Sequence, residues 1–384
     1  MSSQSIQPDL VRSRRRAKDL LRAAKNGDPP SLQFIASHAP NLGVLKLAVA
    51  QLAIARSEGY ASWAQLKKAA ETAALDQLFE AVEQGDLETT GSLLQEFPNL
   101  AVKRAASGRT LLHAGVWSDN PDLVRLLLAS GAPRDEMWES SAHTALSWAA
   151  TIGSLRAAEA LIEAGAPTDL FTAAGLGLLD RVKSFWVDNR IQARPSQTGS
   201  SRFDAYGAKL PRPPETASEQ VSDALYIAAR SGHQEVVRWL IAHGADPNFR
   251  GYEGGTALHW GEFSNNPSIC ELLRTAGASD ELRDYTFLAT PREFGLICPA
   301  AYGMIGRLKA RLDSRPEDID IMGGWGTALN AAVWNNQRDA AMLLLSRGAN
   351  PSLTNAAGLT PLELAQSRGF VELASEIRAA IATR

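Results

Sequence analysis

The chain has 384 residues, 45% hydrophobic and 21% charged, with a formal net charge of −3. That composition buries a large core and excludes a disordered chain, and the near balance of charge gives no general pull toward nucleic acid or an acidic membrane. Two cysteines, Cys270 and Cys298, cannot by themselves build a disulfide framework or a four-ligand zinc site, so a reducing compartment fits. No apolar run approaches the roughly 18 residues of a membrane span. The first residues lack the apolar core of a secretory signal. The expectation is a soluble, cytoplasmic monomer without membrane segments.

Residues 1–70 read as a helical head. Helices are predicted over 14–25 and 31–56, followed by EGYASWAQLKKAAE (58–71). Arg12, Arg14, Arg15, Arg16, Lys18, Arg22 and Lys25 form a basic run, but Asp9, Asp19 and Asp28 interrupt it. No aromatic residue is interleaved for base stacking, so the run reads as a solvated helix face and no nucleic-acid partner is expected.

From residue 71 a repeat takes over. Thr110-Leu111-Leu112-His113, Thr144-Ala145-Leu146-Ser147, Thr256-Ala257-Leu258-His259, Thr327-Ala328-Leu329-Asn330 and Thr360-Pro361-Leu362-Glu363 recur, the first two 34 residues apart and the last two 33. Thr opens each helix as a cap. A small pair follows, as in Ala149-Ala150, Ala173-Ala174, Ala228-Ala229 and Ala300-Ala301, and lets adjacent helices approach closely. Gly153 and Gly232 end the first helix. A second, amphipathic helix such as 235–242 carries the apolar stripe, and a glycine such as Gly244 supplies the left-handed cap. Nine units start near Ala73, Ser107, Ser141, Thr168, Ser218, Gly251, Tyr285, Gly323 and Asn355. No single unit buries its own faces, so neighbours must stack. Between the fourth and fifth lies an insertion at about 188–218, rich in Pro, Ser and Gly, which reads as a loop.

This pattern resembles the ankyrin-repeat family, whose period is about 33 residues. The head resembles one found in a group of bacterial ankyrin proteins, through Ala50-Gln51-Leu52-Ala53-Ile54-Ala55-Arg56, Gly59-Tyr60-Ala61-Ser62-Trp63 and Leu66-Lys67. The stretches DALYIAARSGH, GGTALHW and TPREFG look like members of that group too. The resemblance implies an all-α ankyrin-repeat solenoid of about nine helix-turn-helix units with β-turn fingers over 71–384, capped by the head at 1–70. It also implies a bacterial origin, and no reaction.

In ankyrin repeats the positions just after the small pair face a concave groove. Counting places Glu83, Trp117, Thr151, Gly175, Arg230, Phe263, Tyr302, Trp334 and Ser367 at the first of them. Four aromatics in that row suggest a recognition surface, or rings that pack on one another. With them we group Trp260, the neighbour of the repeat's His. His113 and His259 stand in the Thr-x-Leu-His motif and imply structural hydrogen bonds between repeats. Gly261-Glu262 replaces the small pair of the sixth repeat. A carboxylate there must pair, protonate or face a cavity; Arg230 and Arg292 are the candidate partners. Phosphate loops, metal-ligand spacings and nucleophile elbows are missing from the sequence, so no catalytic residue, metal or cofactor is assigned. The leading expectation is a non-enzymatic scaffold that binds a protein partner through Trp117, Arg230, Trp260, Glu262, Phe263, Tyr302 and Trp334. The alternative is a small-molecule site or enzyme around Trp260, Glu262 and Phe263, covered by the 188–218 insertion.

Overall fold

The computed structural model describes residues 9–40, 44–138, 140–202, 204 and 208–382. The chain forms two compact units, Met1–Arg134 and Asp135–Arg384. In the first, α1 (Leu10–Lys25), α2 (Pro29–His38) and α3 (Leu47–Ser57) make the head, and α4 (Trp63–Gln84), α5 (Leu87–Glu96), α6 (Leu111–Gly115) and α7 (Pro121–Ala129) make two helix pairs. Asp9, Asp28 and Ser62 cap α1, α2 and α4 by accepting from backbone N–H groups three residues on. Ala17 on α1 meets Ala50 and Ile54 on α3, while Ile35 on α2 packs with Val49 and Ala53. The basic run of α1 is exposed, with Arg15 and Arg22 near Asp19 and Arg16 paired with Glu58.

Two features of the head depart from expectation. The helix predicted over 31–56 is broken between α2 and α3, because Pro40 disfavours helical backbone at Ala39 and removes an N–H donor. The boundary at residue 70 falls inside α4, whose buried Leu66, Ala70, Ala74 and Leu78 form one continuous stripe. The last helix of the head and the first helix of the first repeat are therefore a single helix of 22 residues.

Among the described residues the second unit holds seven helix pairs: α8 (Ala145–Ile152) with α9 (Leu155–Glu163), α10 (Leu170–Gly175) with α11 (Leu179–Lys183), α12 (Ala217–Ser231) with α13 (Gln234–Ala242), α14 (Ala257–Phe263) with α15 (Pro267–Thr275), α16 (Pro291–Ala301) with α17 (Ile305–Ser314), α18 (Ala328–Trp334) with α19 (Arg338–Ser346), and α20 (Pro361–Ser367) with α21 (Val371–Ala382). First helix packs on first helix from α8 to α20. A short antiparallel pair, β1 (Met137–Trp138) and β2 (His143–Thr144), joins Met137 to Thr144 across one finger. The core runs through the small pairs and the second-helix stripes, with Leu225, Leu258, Phe294, Leu329 and Leu364 among its buried residues.

One cap design recurs with different chemistry. In α14 the backbone N–H of Thr256 donates to Nδ1 of His259 at 3.1 Å, so Nδ1 is the acceptor and Nε2 carries the proton. Nε2 then donates to the carbonyl of Ala289 in the next finger at 3.1 Å. In α18 Asn330 plays both parts, accepting from Thr327 N–H at 3.0 Å and reaching the carbonyl of Leu353. Glu293 and Glu363 accept from Thr290 and Thr360 but have no proton to pass on. Thr110 bonds His113 Nδ1 at 2.8 Å in the first unit.

The insertion is anchored along the finger edge. After a second two-residue hairpin, β3 (Trp186–Val187) with β4 (Arg190–Ile191), Gln197 and Thr198 donate to Asp169, the cap of α10. Ser200 donates through N–H and Oγ to Asp223, and Arg212 donates to the carbonyls of Ser140 and Ser141. Asp223 stands where other repeats have the capping Thr. Here the helix starts earlier, at a Thr216–Glu219 capping box, and Asp223 serves the insertion instead.

Burial pushes the imidazole of His259 down to about 4. The folded protein keeps it neutral, whereas an unfolded chain takes up a proton near the ordinary value of about 6.5. Stability should therefore fall as pH drops from about 6.5 to 4, by an amount on the order of 3 kcal/mol from this one group. His259→Asn, which copies the box of Asn330, should be less stable than the parent at pH 7.5 and gain on it through that window. Urea denaturation of both at several pH values measures the difference; a gap that does not change with pH would show that His259 is free to titrate.

Candidate binding face on the second unit

Glu262 lies at 1% exposure between α14 and the following repeat. Its Oε1 accepts from Arg274 at 2.8 Å, and its Oε2 from Arg311 at 2.7 Å and Arg315 at 3.3 Å. Arg311, also 1% exposed, bonds Asp318 at 3.2 Å, and Arg292 closes the chain by bonding Asp318 at 2.6 Å. Burial works to raise the Glu262 carboxyl, but the hydrogen bonds from Arg311 and Arg274 outweigh it and hold the group below its ordinary range. Room for the pair comes from Gly295 on α16, where a Cβ would stand 3.1 Å from that of Glu262 and 3.2 Å from Cζ of Arg311. Gly261 serves the other side, since a Cβ there would meet Sγ of Cys270 at 3.2 Å.

The partners of Glu262 are thus not those expected from the sequence. Arg230 lies over the Trp260 ring at 5.0 Å and near the Phe263 ring at 5.8 Å. Arg292 enters the network through Asp318. Both oxygens of Glu262 are occupied by arginines of its own chain, so it is a structural acid.

Next to the network is an aromatic cluster. Trp260 and Phe263, each 2% exposed, pack edge to face at 5.1 Å, and Tyr226, Tyr252 and Phe294 surround Trp260. The expected groove positions of these rings are therefore interior. Arg307 lies over the Phe263 ring at 4.5 Å. Partial desolvation and the nearby Arg230 cation both lower the pKa of Arg307. Neither arginine has a carboxylate partner among the described residues. On the finger before α14, Glu253 sits at φ 56°, ψ 20°, a left-handed conformation that costs a non-glycine residue on the order of 1 kcal/mol. Its Oε1 accepts from the Tyr302 hydroxyl, while its buried Oε2 has no hydrogen-bond partner among the described residues. Burial raises its pKa, against the Tyr302 bond.

Tyr302 and Trp334 keep 44% and 38% of their surface exposed. Trp334 meets Trp325 edge to face at 4.5 Å and carries Arg368 over its ring at 4.0 Å. In the first unit Trp117 is half exposed. The structure thus brings Arg230, Trp260 and Phe263 together and leaves Tyr302 and Trp334 at the surface of the same unit. Arg307, Arg368 and Glu253 escaped the sequence reading. Arg368 directly follows Ser367 in the counted row, and Glu253 is bracketed by glycines in GYEGG; Arg307 has no such signal. Among the described residues, no hydrogen bond, ion pair or ring contact joins the insertion to Trp260, Glu262 or Phe263, so the expected cover over them is not formed there. No three His, Cys, Asp or Glu side chains cluster to hold a metal ion, and no helix is long and apolar enough to cross a membrane, among the described residues.

Thr-capped helix pairs joined by short fingers and stacked through small residues define a helical-repeat protein. The chain belongs to the ankyrin-repeat family. The model of ankyrin repeats, in three copies, matches residues 78–172 and 212–284. The chain is 30% identical over 188 residues to the ankyrin repeat protein YahD of Escherichia coli, covering 40% of this chain and 94% of that protein. It is 26% identical over 277 residues to the ankyrin repeat domain-containing protein SAT10 of Stachybotrys chartarum, covering 66% of this chain but 14% of the relative. It is 31% identical over 156 residues to SH3 and multiple ankyrin repeat domains protein 2 of Homo sapiens, 40% of this chain and 8% of the relative. Ankyrin repeats generally mediate protein–protein interaction.

Removing the Glu262 charge leaves the buried Arg311 to share Asp318 with Arg292 and takes an acceptor from Arg274 and Arg315. Glu262→Gln should lower stability by about 3–5 kcal/mol. A double-mutant cycle in chemical denaturation should give strong coupling between Glu262→Gln and Arg311→Gln and near additivity between Glu262→Gln and Arg230→Gln. The reverse pattern would return Arg230 to the pair.

Proposed function

We propose that this protein is a non-enzymatic scaffold whose second unit docks a segment of another protein on the row that holds Tyr302 and Trp334. The observation that carries the reading is the exposure of two large rings at the ends of the first helices of successive repeats, Trp334 as the last residue of α18 and Tyr302 as the residue that follows α16, with Arg368 lying on the Trp334 ring. Exposed aromatic anchors supply binding energy at low conformational cost and dominate interface hot spots. Trp260 and Phe263 act beneath this surface as the platform that positions Arg230 and Arg307, and Glu262 ties that platform to the next repeat. Trp117 would contribute a separate contact from the first unit.

A photo-crosslinking residue placed at position 334 should yield a discrete protein adduct in cells. The same residue at position 371, where Val371 is 79% exposed on the last helix, should not. Tyr302→Ala should abolish the adduct while changing stability by less than the roughly 3–5 kcal/mol of a fully buried aromatic. Identical adducts from both positions would remove the row as the docking surface.

A further inference from the structure

Two sets of arginines in the second unit contrast with each other. Arg274, Arg292, Arg311, Arg315, Arg338 and Arg347 each pair with a carboxylate of the same unit. Arg230, Arg307 and Arg368 have no such partner among the described residues, and each lies on an aromatic face, 5.0 Å from Trp260, 4.5 Å from Phe263 and 4.0 Å from Trp334. A ring face holds a guanidinium in place but leaves its five N–H donors unused. Arg307 spends one on the Phe263 carbonyl, at 3.5 Å. Arg230 and Arg307 also face the same ring, at 5.8 and 4.5 Å from its centre, close enough that each charge disfavours the other, and the nearby Glu253 carboxylate makes no ion pair with either. An incoming carboxylate would relieve that repulsion and fill the free donors with charge-assisted hydrogen bonds.

We propose that this face selects an acidic segment of a partner protein. One Asp or Glu side chain is taken by Arg230 and Arg307, a second by Arg368, and apolar side chains between them lie on Tyr302 and Trp334. This assignment rests on the docking reading above and adds the chemistry of the partner. Arginines interleaved with aromatics also suit single-stranded nucleic acid. A strand, however, presents a phosphate at every step and needs a continuous basic track. Asp135–Arg384 carries 23 Lys and Arg against 29 Asp and Glu. A net acidic unit that holds three ring-seated arginines matches a peptide with a few carboxylates better than a polyanion.

The test pans a phage-displayed library of random dodecapeptides against the full-length chain and measures the selected peptides by fluorescence anisotropy. Selected sequences should carry Asp or Glu beside aromatic or aliphatic residues. Replacing the acid by its amide in the peptide should weaken binding about tenfold or more, and Arg307→Gln, on an exposed side chain that does not threaten folding, should erase the difference between acid and amide. Arg230→Gln should do the same where circular dichroism shows it folded. Peptides that lose affinity with Trp334→Ala but ignore both the amide and Arg307→Gln would overturn acid recognition and leave the docking reading standing. Peptides indifferent to Trp334→Ala and Tyr302→Ala would overturn both. So would failure to select any peptide, or preferential binding of an oligothymidylate with steep salt dependence.

Discussion

First helices of adjacent repeats meet almost backbone to backbone, and the rest of the second unit is arranged around that closeness. The pairs Ala149-Ala150, Ala173-Ala174, Ala228-Ala229 and Ala300-Ala301 are buried to within 1% exposure because nothing larger fits between the helices. Glu262 breaks the rule in the middle of the stack. Its side chain is admitted only because Gly295 on the next helix lacks a Cβ, and its charge only because Arg274, Arg311 and Arg315 converge on it. Arg311 in turn requires Asp318, and Asp318 holds Arg292. A single departure from the small-pair rule therefore recruits charges from two consecutive repeats. A buried network of this kind gains little over an apolar pair of equal volume. It does penalise any other neighbour, since only the repeat that brings Gly295 and Arg311 leaves no charge stranded.

The same stretch of chain separates structural cations from accessible ones. Arginines that reach carboxylates are locked into the joint between repeats. Those resting on Trp260, Phe263 and Trp334 are held in orientation without an ion-pair partner among the described residues. The buried rings thus act as a floor and the exposed rings as contact surface, although both kinds of ring come from neighbouring register positions. The strained backbone of Glu253 belongs to this arrangement. Held in the left-handed region, it turns its carboxylate inward to meet the Tyr302 hydroxyl and fixes one exposed ring against the finger. Fixing an aromatic before it meets a partner reduces the entropy lost on binding.

Fingers and caps show how one backbone design tolerates several chemistries. Position N3 of the first helix takes His259, Asn330, Glu293 or Glu363, and each satisfies the capping Thr. Only His and Asn also donate to the following finger, so the link between repeats is stronger where they occur. Where the insertion enters, Asp223 replaces Thr and the capping role moves to Thr216. Its buried carboxyl, raised to about 6 by desolvation, anchors Ser200 and so spends its acceptors on the loop.

The sequence by itself determined the repeat. A period near 33, Thr at each helix start, small pairs and glycine stops are local requirements of capping and close approach, so they are written at fixed intervals and read without coordinates. It also marked Glu262 as an acid in need of compensation, since its slot is defined by the same count. Three things were decided only by tertiary packing. Residue 70 falls inside α4, whose apolar stripe runs past it. The cations that serve Glu262 lie 12, 49 and 53 residues away and were chosen by which faces of α15 and α17 converge on the gap. Whether a ring in the counted row turns inward, as Phe263 does, or outward, as Trp334 does, depends on the space left by the neighbouring repeat. Register along one chain fixes height in the stack, but inward or outward is set by volume shared between segments far apart in sequence, and no local pattern encodes that volume.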